Sequence, residues 1–232
     1  MVYYITKTNP NLAHLPLDER VLTLPLITIK TQFIEDIKEK LQACDSLIFT
    51  SKNAIYALSE NLKFRDFKSI WASLPNFVIG KGSADALESL GFKAHFVASS
   101  AYGEVFAREL IPHLKHKQPL FVRAKKIASK LPEILRNNGI YLQEVIVYES
   151  LLNLLESPPK LQKNSIIIFG APSHIRAFLL NFTWDLSFCA LCIGKTTSAA
   201  AIKLLGEEAK IMEAPIPEFK SALEFALNIY KN

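Results

Sequence analysis

Phe77–Leu90 reads FVIGKGSADALESL, and Leu191–Leu204 reads LCIGKTTSAAAIKL. Each is an apolar strand, a Gly-Lys turn and an amphipathic helix. Upstream of each stands a second such segment: LIFTSKNAIYAL at Leu47–Leu58 and IIFGAPSHIRAFL at Ile167–Leu179. A pair of strand–turn–helix segments therefore occurs twice, in the same order and at similar separation. Self-similarity of this kind marks a chain built from two related α/β units. Strands alternating with helices predict parallel sheets with crossover connections. The polar turns follow the strands, where open α/β sheets receive ligands. The expected fold is two similar parallel-sheet α/β domains joined by a two-stranded β linker, with a cleft between them.

The linker follows from a pass along the chain. Further strands are expected at Val2–Thr6, Ala94–Val97, Leu120–Arg123 and Lys210–Met212, and further helices at Phe33–Gln42, Gly103–Leu114, Ile127–Asn138 and Glu218–Tyr230. Asn11–Arg20 reads as a loop or weak helix. Gly91, Gly139 and Gly206 stand where helices end. The second copy is short of strands, and Val2–Thr6 can supply one. The chain then starts in the domain where it ends. One domain takes residues 1–28 and 151–232, and the other is inserted at 33–142. Val21–Lys30 (VLTLPLITIK) and Tyr141–Ser150 (YLQEVIVYES) are extended and carry the crossings, at about 21–32 and 141–152. Pro25 makes the first of these an edge strand or a linker.

Composition narrows the partners. The chain of 232 residues carries a net charge of +5, which favours anionic partners. Its basic residues are dispersed and form no nucleic-acid stripe. No apolar run approaches a membrane span, and no secretory signal pattern opens the chain. Three cysteines are an odd count for a disulfide framework. Cys189 and Cys192 form a CxxC, but inside a predicted buried strand, where a structural role is expected. No metal site is expected, because no second Cys or His pair stands at ligand spacing. Ile193–Thr196 superficially resembles a phosphate-binding loop. That motif requires a glycine where this chain has Cys189, so nucleotide binding there is rejected.

These segments together resemble the uroporphyrinogen-III synthase family over nearly the whole chain. The carriers are FTSKNAIYAL at Phe49–Leu58, IGKGSADALESLGF at Ile79–Phe92 and LFVRAKK…LPEILRNNGIYLQEVIVYES at Leu120–Ser150. FGAPSHIRAF at Phe169–Phe178 and IGKTTSAAAIKLLG at Ile193–Gly206 continue the pattern. The resemblance implies a cofactor-free enzyme of tetrapyrrole biosynthesis; the cysteine count and the opening of the chain point to the cytoplasm, and a monomer is expected. It implies that hydroxymethylbilane, a linear tetrapyrrole bearing carboxylates on every ring, is cyclised with loss of water and inversion of the last ring. It implies hydroxymethylbilane synthase as the supplier of that substrate. Neither nucleic acid nor membrane is an implied partner. The second-domain turn usually reads Thr-Ser-Pro-Ser in this family, whereas here it reads Gly170-Ala171-Pro172-Ser173. Ser83 stands where Thr is frequent, and Ala128 lies near a frequent Arg before Leu131-Pro132.

The candidate residues each carry two readings. Thr50, Ser51 and Asn53 sit between a strand end and a helix. They suit helix capping, and they suit carboxylate binding at a helix N-terminus. Ser83 and Thr197 occupy equivalent places in the two Gly-Lys turns, and the same two roles apply. Ser173 and Thr196 are hydroxyls in the corresponding second-domain turns. Lys81, Arg123 and Lys195 cluster at strand ends with Lys52, Lys125 and Lys126. Solvated surface is the ordinary fate of lysine, but a basic cleft would steer a polyanionic substrate. Tyr148 matches a tyrosine of the family pattern. It either covers the domain junction or donates a proton to the departing hydroxyl, since a phenol is protonated at neutral pH. His174, at a helix start, reads as a surface or capping residue. Two rival functions remain from the residues alone: a two-domain protein that binds a small anion without chemistry, and a transferase using a nucleotide-linked donor.

Overall fold

The computed structural model describes residues 1–6, 19–62, 68–127, 129–216 and 219–229. Most of the loop or weak helix expected at 11–20 lies outside these residues, as do Ala128 and Tyr230. The first elements in chain order are β1 (Tyr3–Ile5), β2 (Val21–Thr23), β3 (Ile27–Thr31), α1 (Ile37–Gln42), β4 (Ser46–Phe49) and α2 (Lys52–Leu62). Then come α3 (Lys68–Ser73), β5 (Asn76–Val78), α4 (Lys81–Ser89), β6 (Phe96–Val97), α5 (Gly103–Leu114), β7 (Pro119–Ala124) and α6 (Leu131–Asn137). The last are β8 (Gln143–Leu152), β9 (Ile166–Phe169), α7 (Pro172–Asn181), β10 (Cys189–Cys192), α8 (Lys195–Leu205), β11 (Lys210–Glu213) and α9 (Phe219–Ile229).

The chain divides into two units, Met1–Thr28 with Leu151–Asn232, and Ile29–Ser150. The first holds a parallel sheet in the order β11-β10-β9-β1-β2. Strands β9 (IIIF) and β10 (CALC) are buried throughout, as parallel strands covered on both faces must be. One face packs on α9 through Ala222, Leu223 and Ala226. Nearby, Phe169, Phe178, Trp184 and Phe188 form an aromatic cluster of mostly edge-on contacts. The second unit holds the order β3-β8-β7-β4-β5-β6, parallel from β8 to β6. Its central β4 (SLIF) is buried throughout, between one core containing α2 and α4 and another containing α5 and α6.

Several expected boundaries move, each for a local reason. Val21–Lys30 is not one extended segment. It breaks at Leu24-Pro25-Leu26 into β2 and β3, the outer strands of two different sheets. Proline has no N–H for a ladder, so the chain changes sheet there. The helix expected from Ile127 begins at Leu131, with Pro132 in the first turn, a position that needs no N–H donor. Helix α3 is a gain over the sequence reading. Six residues are too few for periodicity to register. Trp71 anchors α3 by stacking on Phe92 at 4.0 Å and donating Nε1–H to Asn76 Oδ1 at 2.8 Å. Gly91 and Gly139 close α4 and α6 with φ of 84° and 77°, where a side chain would strain the backbone.

Each unit also carries an asparagine clamp at the end of its first repeat helix. In α2, Asn61 donates to Ala57 O and Gln32 O, both at 2.9 Å, and accepts from Ile34 N–H at 2.8 Å. In α7, Asn181 donates to Ala177 O at 2.8 Å and Asn153 O at 2.7 Å, and accepts from Leu155 N–H at 2.7 Å. The two side chains make the same three bonds, each holding the chain just after β3 or β8. Strands β3 and β8 run antiparallel, with Gln32 N–H bonded to Val147 O and Asn153 N–H to Leu26 O.

Candidate functional site

In both units the polar turns lie at the carboxyl ends of adjacent parallel strands. In the larger sheet these are Thr50–Asn53 after β4, Gly80–Ser83 after β5, Arg123–Lys125 at the end of β7, and Tyr148 opposite Ala124. In the other they are Thr6 after β1, Gly170–His174 after β9 and Gly194–Thr197 after β10.

The Gly-Lys segments are helix starts rather than free turns, since α4 begins at Lys81 and α8 at Lys195. Gly80 and Gly194 are their N-caps in extended backbone, a conformation open to any residue. The tight turn expected of these glycines is therefore not what they supply. Having no side chain, neither caps its helix. The N–H groups of Ser83 and Ala84 return to Gly80 O, and those of Thr197 and Ser198 return to Gly194 O. The donors that precede them remain at the helix mouth, where the helix dipole favours negative charge. Ser83 and Thr197 are buried, at 5% and 4% exposure. Among the described residues neither hydroxyl has a hydrogen-bond partner. The two copies thus repeat a polar, uncapped helix start at equivalent positions.

Ser51 caps α2, its Oγ accepting from Asn53 N–H at 3.2 Å. Tyr148 is 6% exposed. Burial pushes its phenol above the ordinary tyrosine value, while the polar Ser51 and Asn53 side chains near it pull it partly back. The structure thereby brings together three residues drawn from two distant stretches of sequence. Arg123 is engaged elsewhere: its Nε pairs with Glu144, which also binds Arg136, and its Nη1 donates to Ala124 O and Lys125 O. Glu144 was not singled out by the sequence, because a carboxylate inside a predicted strand gives no signal of its partner. Lys81 is 79% exposed and pairs with Asp85 at 2.8 Å, and Lys125 pairs with Glu149 at 3.1 Å. Thr50 and Ser173 are half-buried, and Lys195 and Thr196 exposed.

Thr6 and His174 form a pair the sequence reading did not connect. Thr6 is fully buried and donates its hydroxyl to Ile168 O at 2.7 Å. With that proton committed, its 3.0 Å bond to His174 Nδ1 requires an Nδ1–H donor. Beside them, a side chain at Gly170 would stand 2.3 Å from the Phe219 ring. The missing hydroxyls of this turn thus coincide with a bulky neighbour from α9.

The CxxC lies within β10, and all three cysteines are free and buried. Residues three apart along a strand are separated by about 10 Å, beyond disulfide reach. Burial pushes the Cys192 thiol up to about 12, which leaves it unreactive. No cluster of three or more metal-binding side chains occurs among the described residues. No helix among them is long and apolar enough to cross a membrane.

Fold and site together define a two-unit α/β protein whose strand ends present uncapped, hydroxyl-bearing helix starts suited to carboxylates. The model of one family, Uroporphyrinogen-III synthase HemD, matches residues 17–223, and the chain belongs to that family. Among solved structures it is similar to a uroporphyrinogen-III synthetase from Helicobacter pylori 26695, at 28% identity and a TM-score of 0.79, over 98% of this chain and 99% of that one. It is also similar in fold to a mutant uroporphyrinogen III synthase from the extremely thermophilic bacterium Thermus thermophilus, at 16% identity and a TM-score of 0.63, over 100% of both chains. A search of curated protein sequences finds no match.

Proposed function

We infer that this chain is a uroporphyrinogen-III synthase that closes hydroxymethylbilane into the type III macrocycle. The family membership carries the activity. The assignment of residues is supported above all by one observation, the largely buried Ser83 and Thr197 at equivalent helix starts, whose hydroxyls bond no other side chain or backbone group among the described residues. Thr50, Lys81 and Ser83 take substrate carboxylates in one unit, and Ser173, Lys195, Thr196 and Thr197 in the other. Backbone N–H groups at the helix mouths share that work.

Tyr148 acts as proton donor. Its raised phenol keeps the proton at neutral pH. The proton passes to the terminal hydroxyl, the C–O bond breaks, and water leaves. The pyrrole nitrogen pair stabilises the resulting azafulvenium carbon. The substituted α-carbon of the last ring attacks that carbon to give a spiro intermediate, which fragments and recloses with the ring inverted. The proton released as the last ring regains aromaticity returns to the phenolate. Unassisted closure attacks the free α-position instead and gives the type I isomer. The enzyme therefore works by choosing between two transition states through orientation. The reading includes a cytoplasmic monomer that receives its short-lived substrate from hydroxymethylbilane synthase.

The test generates hydroxymethylbilane in situ, adds this protein and resolves the oxidised products. A switch from type I to type III uroporphyrin establishes the activity. Type I alone from folded protein rejects it and favours anion binding without chemistry. Tyr148→Phe is expected to lower kcat about tenfold. That is less than a general acid ordinarily contributes, because this hydroxyl also departs unaided.

A further inference from the structure

The strand ends of the larger sheet are not equivalent. Neighbouring strands β4 and β7 run parallel, yet the helices that follow them pack on opposite faces. Helix α2 lies in the core that holds Phe49 and Val122, and α6 in the one that holds Ile48 and Phe121. The chain leaves these two strand ends in opposite directions and opens a crevice between them. Open α/β sheets take their ligands at such a point. On the β4 side stands the turn Thr50–Asn53. On the β7 side stands the segment after Ala124, which begins with Lys125.

The backbone of Lys125 is held from two directions. Its N–H donates to Tyr148 O at 2.9 Å. Its carbonyl accepts from Arg123 Nη1 at 3.2 Å, and the same nitrogen donates to Ala124 O at 2.8 Å. Glu144 fixes that guanidinium in turn through Nε. Arg123 is thus engaged in posing the segment. The Lys125 side chain is 52% exposed, and its ammonium pairs with Glu149 at 3.1 Å. A slip in register makes this pair. Arg123 lies opposite Ile146 and Ala124 opposite Tyr148, so Val147 is an extra residue, a bulge in β8. Alternation would set Val147 and Tyr148 on opposite faces, but past the bulge both enter the α2 core. The same extra residue brings Glu149, rather than Tyr148, level with Lys125. Strand β8 borders β7 on the side away from β4, so Glu149 draws the ammonium off the crevice. A half-exposed ion pair of this kind is weak, and a second carboxylate exchanges for it at little cost.

We propose that Lys125 is a ligand for a substrate carboxylate, posed by Arg123 and held in reserve by Glu149. The proposal rests on the reading of the chain as a uroporphyrinogen-III synthase. A substrate with carboxylates on every ring replaces Glu149 like for like, and the ammonium stays paired throughout. Two opposite effects follow. Lys125→Met is expected to raise KM for hydroxymethylbilane about fivefold with kcat held, the reach of a half-exposed ion pair. Glu149→Gln removes the competitor and is expected to lower KM about twofold. In Lys125→Met/Glu149→Gln that gain is expected to vanish, leaving the KM of Lys125→Met. The dissociation constant of the product, uroporphyrinogen III, titrated into the full chain by calorimetry under nitrogen, is expected to move in the same three directions. Unmoved constants in both single variants would overturn the proposal. So would a loss of affinity in Glu149→Gln equal to that in Lys125→Met, which would make the pair a structural tie. A gain from Glu149→Gln that persists without Lys125 would reduce it to long-range charge and overturn the proposal as well. Type I product alone from the unaltered chain would instead overturn the synthase reading, and the calorimetric titrations would still decide whether Lys125 meets a carboxylate.

Discussion

Tyr148, Cys44 and Cys192 all sit where burial disfavours the charged form, with the two thiols pushed up to about 11 and about 12. Their linkage to stability has one sign. Below the ordinary thiol and phenol values both states are protonated, and stability is unaffected. As pH climbs through that range the unfolded chain ionises first, and stability falls. Urea unfolding at stepped pH is expected to show this decline above about pH 9, with a shallower slope in Tyr148→Phe. Gly170 makes a second residue-scale case. Restoring the usual threonine would place Cβ 2.3 Å from the Phe219 ring. Gly170→Thr is expected to cost about 1–3 kcal/mol by overpacking, and the loss in Gly170→Thr/Phe219→Ala to be less than the sum of the single losses. The sequence shows that two hydroxyls are absent from this turn. It does not show why, because the ring that fills the space arrives from the last helix.

At the scale of elements, the Asn61 and Asn181 clamps tie each repeat helix to the strand that leads past it. Each satisfies three backbone groups with one side chain. Asn61→Leu and Asn181→Leu are each expected to cost about 1–2 kcal/mol, because partly buried backbone groups lose their partners. Amide exchange offers a local check. The Ile34 N–H should exchange faster in the first variant and the Leu155 N–H in the second. Alternation and helical spacing made nearly every strand and helix legible in the sequence. They misplaced the helix starts, since Gly-Lys-Gly-Ser and Gly-Lys-Thr-Thr look like turn chemistry while the backbone is already helical from Lys81 and Lys195 on. They also missed the bulge in β8. Alternation alone gives Val147 and Tyr148 opposite faces, and only the pairing with β7 puts them on one.

For the whole molecule, the duplicated segments announced two α/β units, and the order of motifs pointed to the family. What the sequence could not decide was which lysines are engaged at home. Lys81 and Lys125 have carboxylate partners on neighbouring turns or strands, and Arg123 is held by Glu144. The charge left to attract a substrate is therefore smaller than the count at strand ends implies. Its effect should still appear as salt-sensitive binding: KM for hydroxymethylbilane is expected to rise with ionic strength while kcat holds, measured between low and physiological salt. The antiparallel run of β3 and β8 carries a different consequence. Counting inward from the Leu26–Asn153 and Gln32–Val147 bonds sets Thr28 opposite Leu151, and Thr28 Oγ1 donates to Asn153 Oδ1 at 2.6 Å. Paired strands hold such residues only about 5 Å apart. The discontinuous unit is therefore an interrupted minidomain whose cut ends nearly touch. Splicing Thr28 to Leu151 through an Asn-Gly hairpin should heal it into one short, independently melting chain.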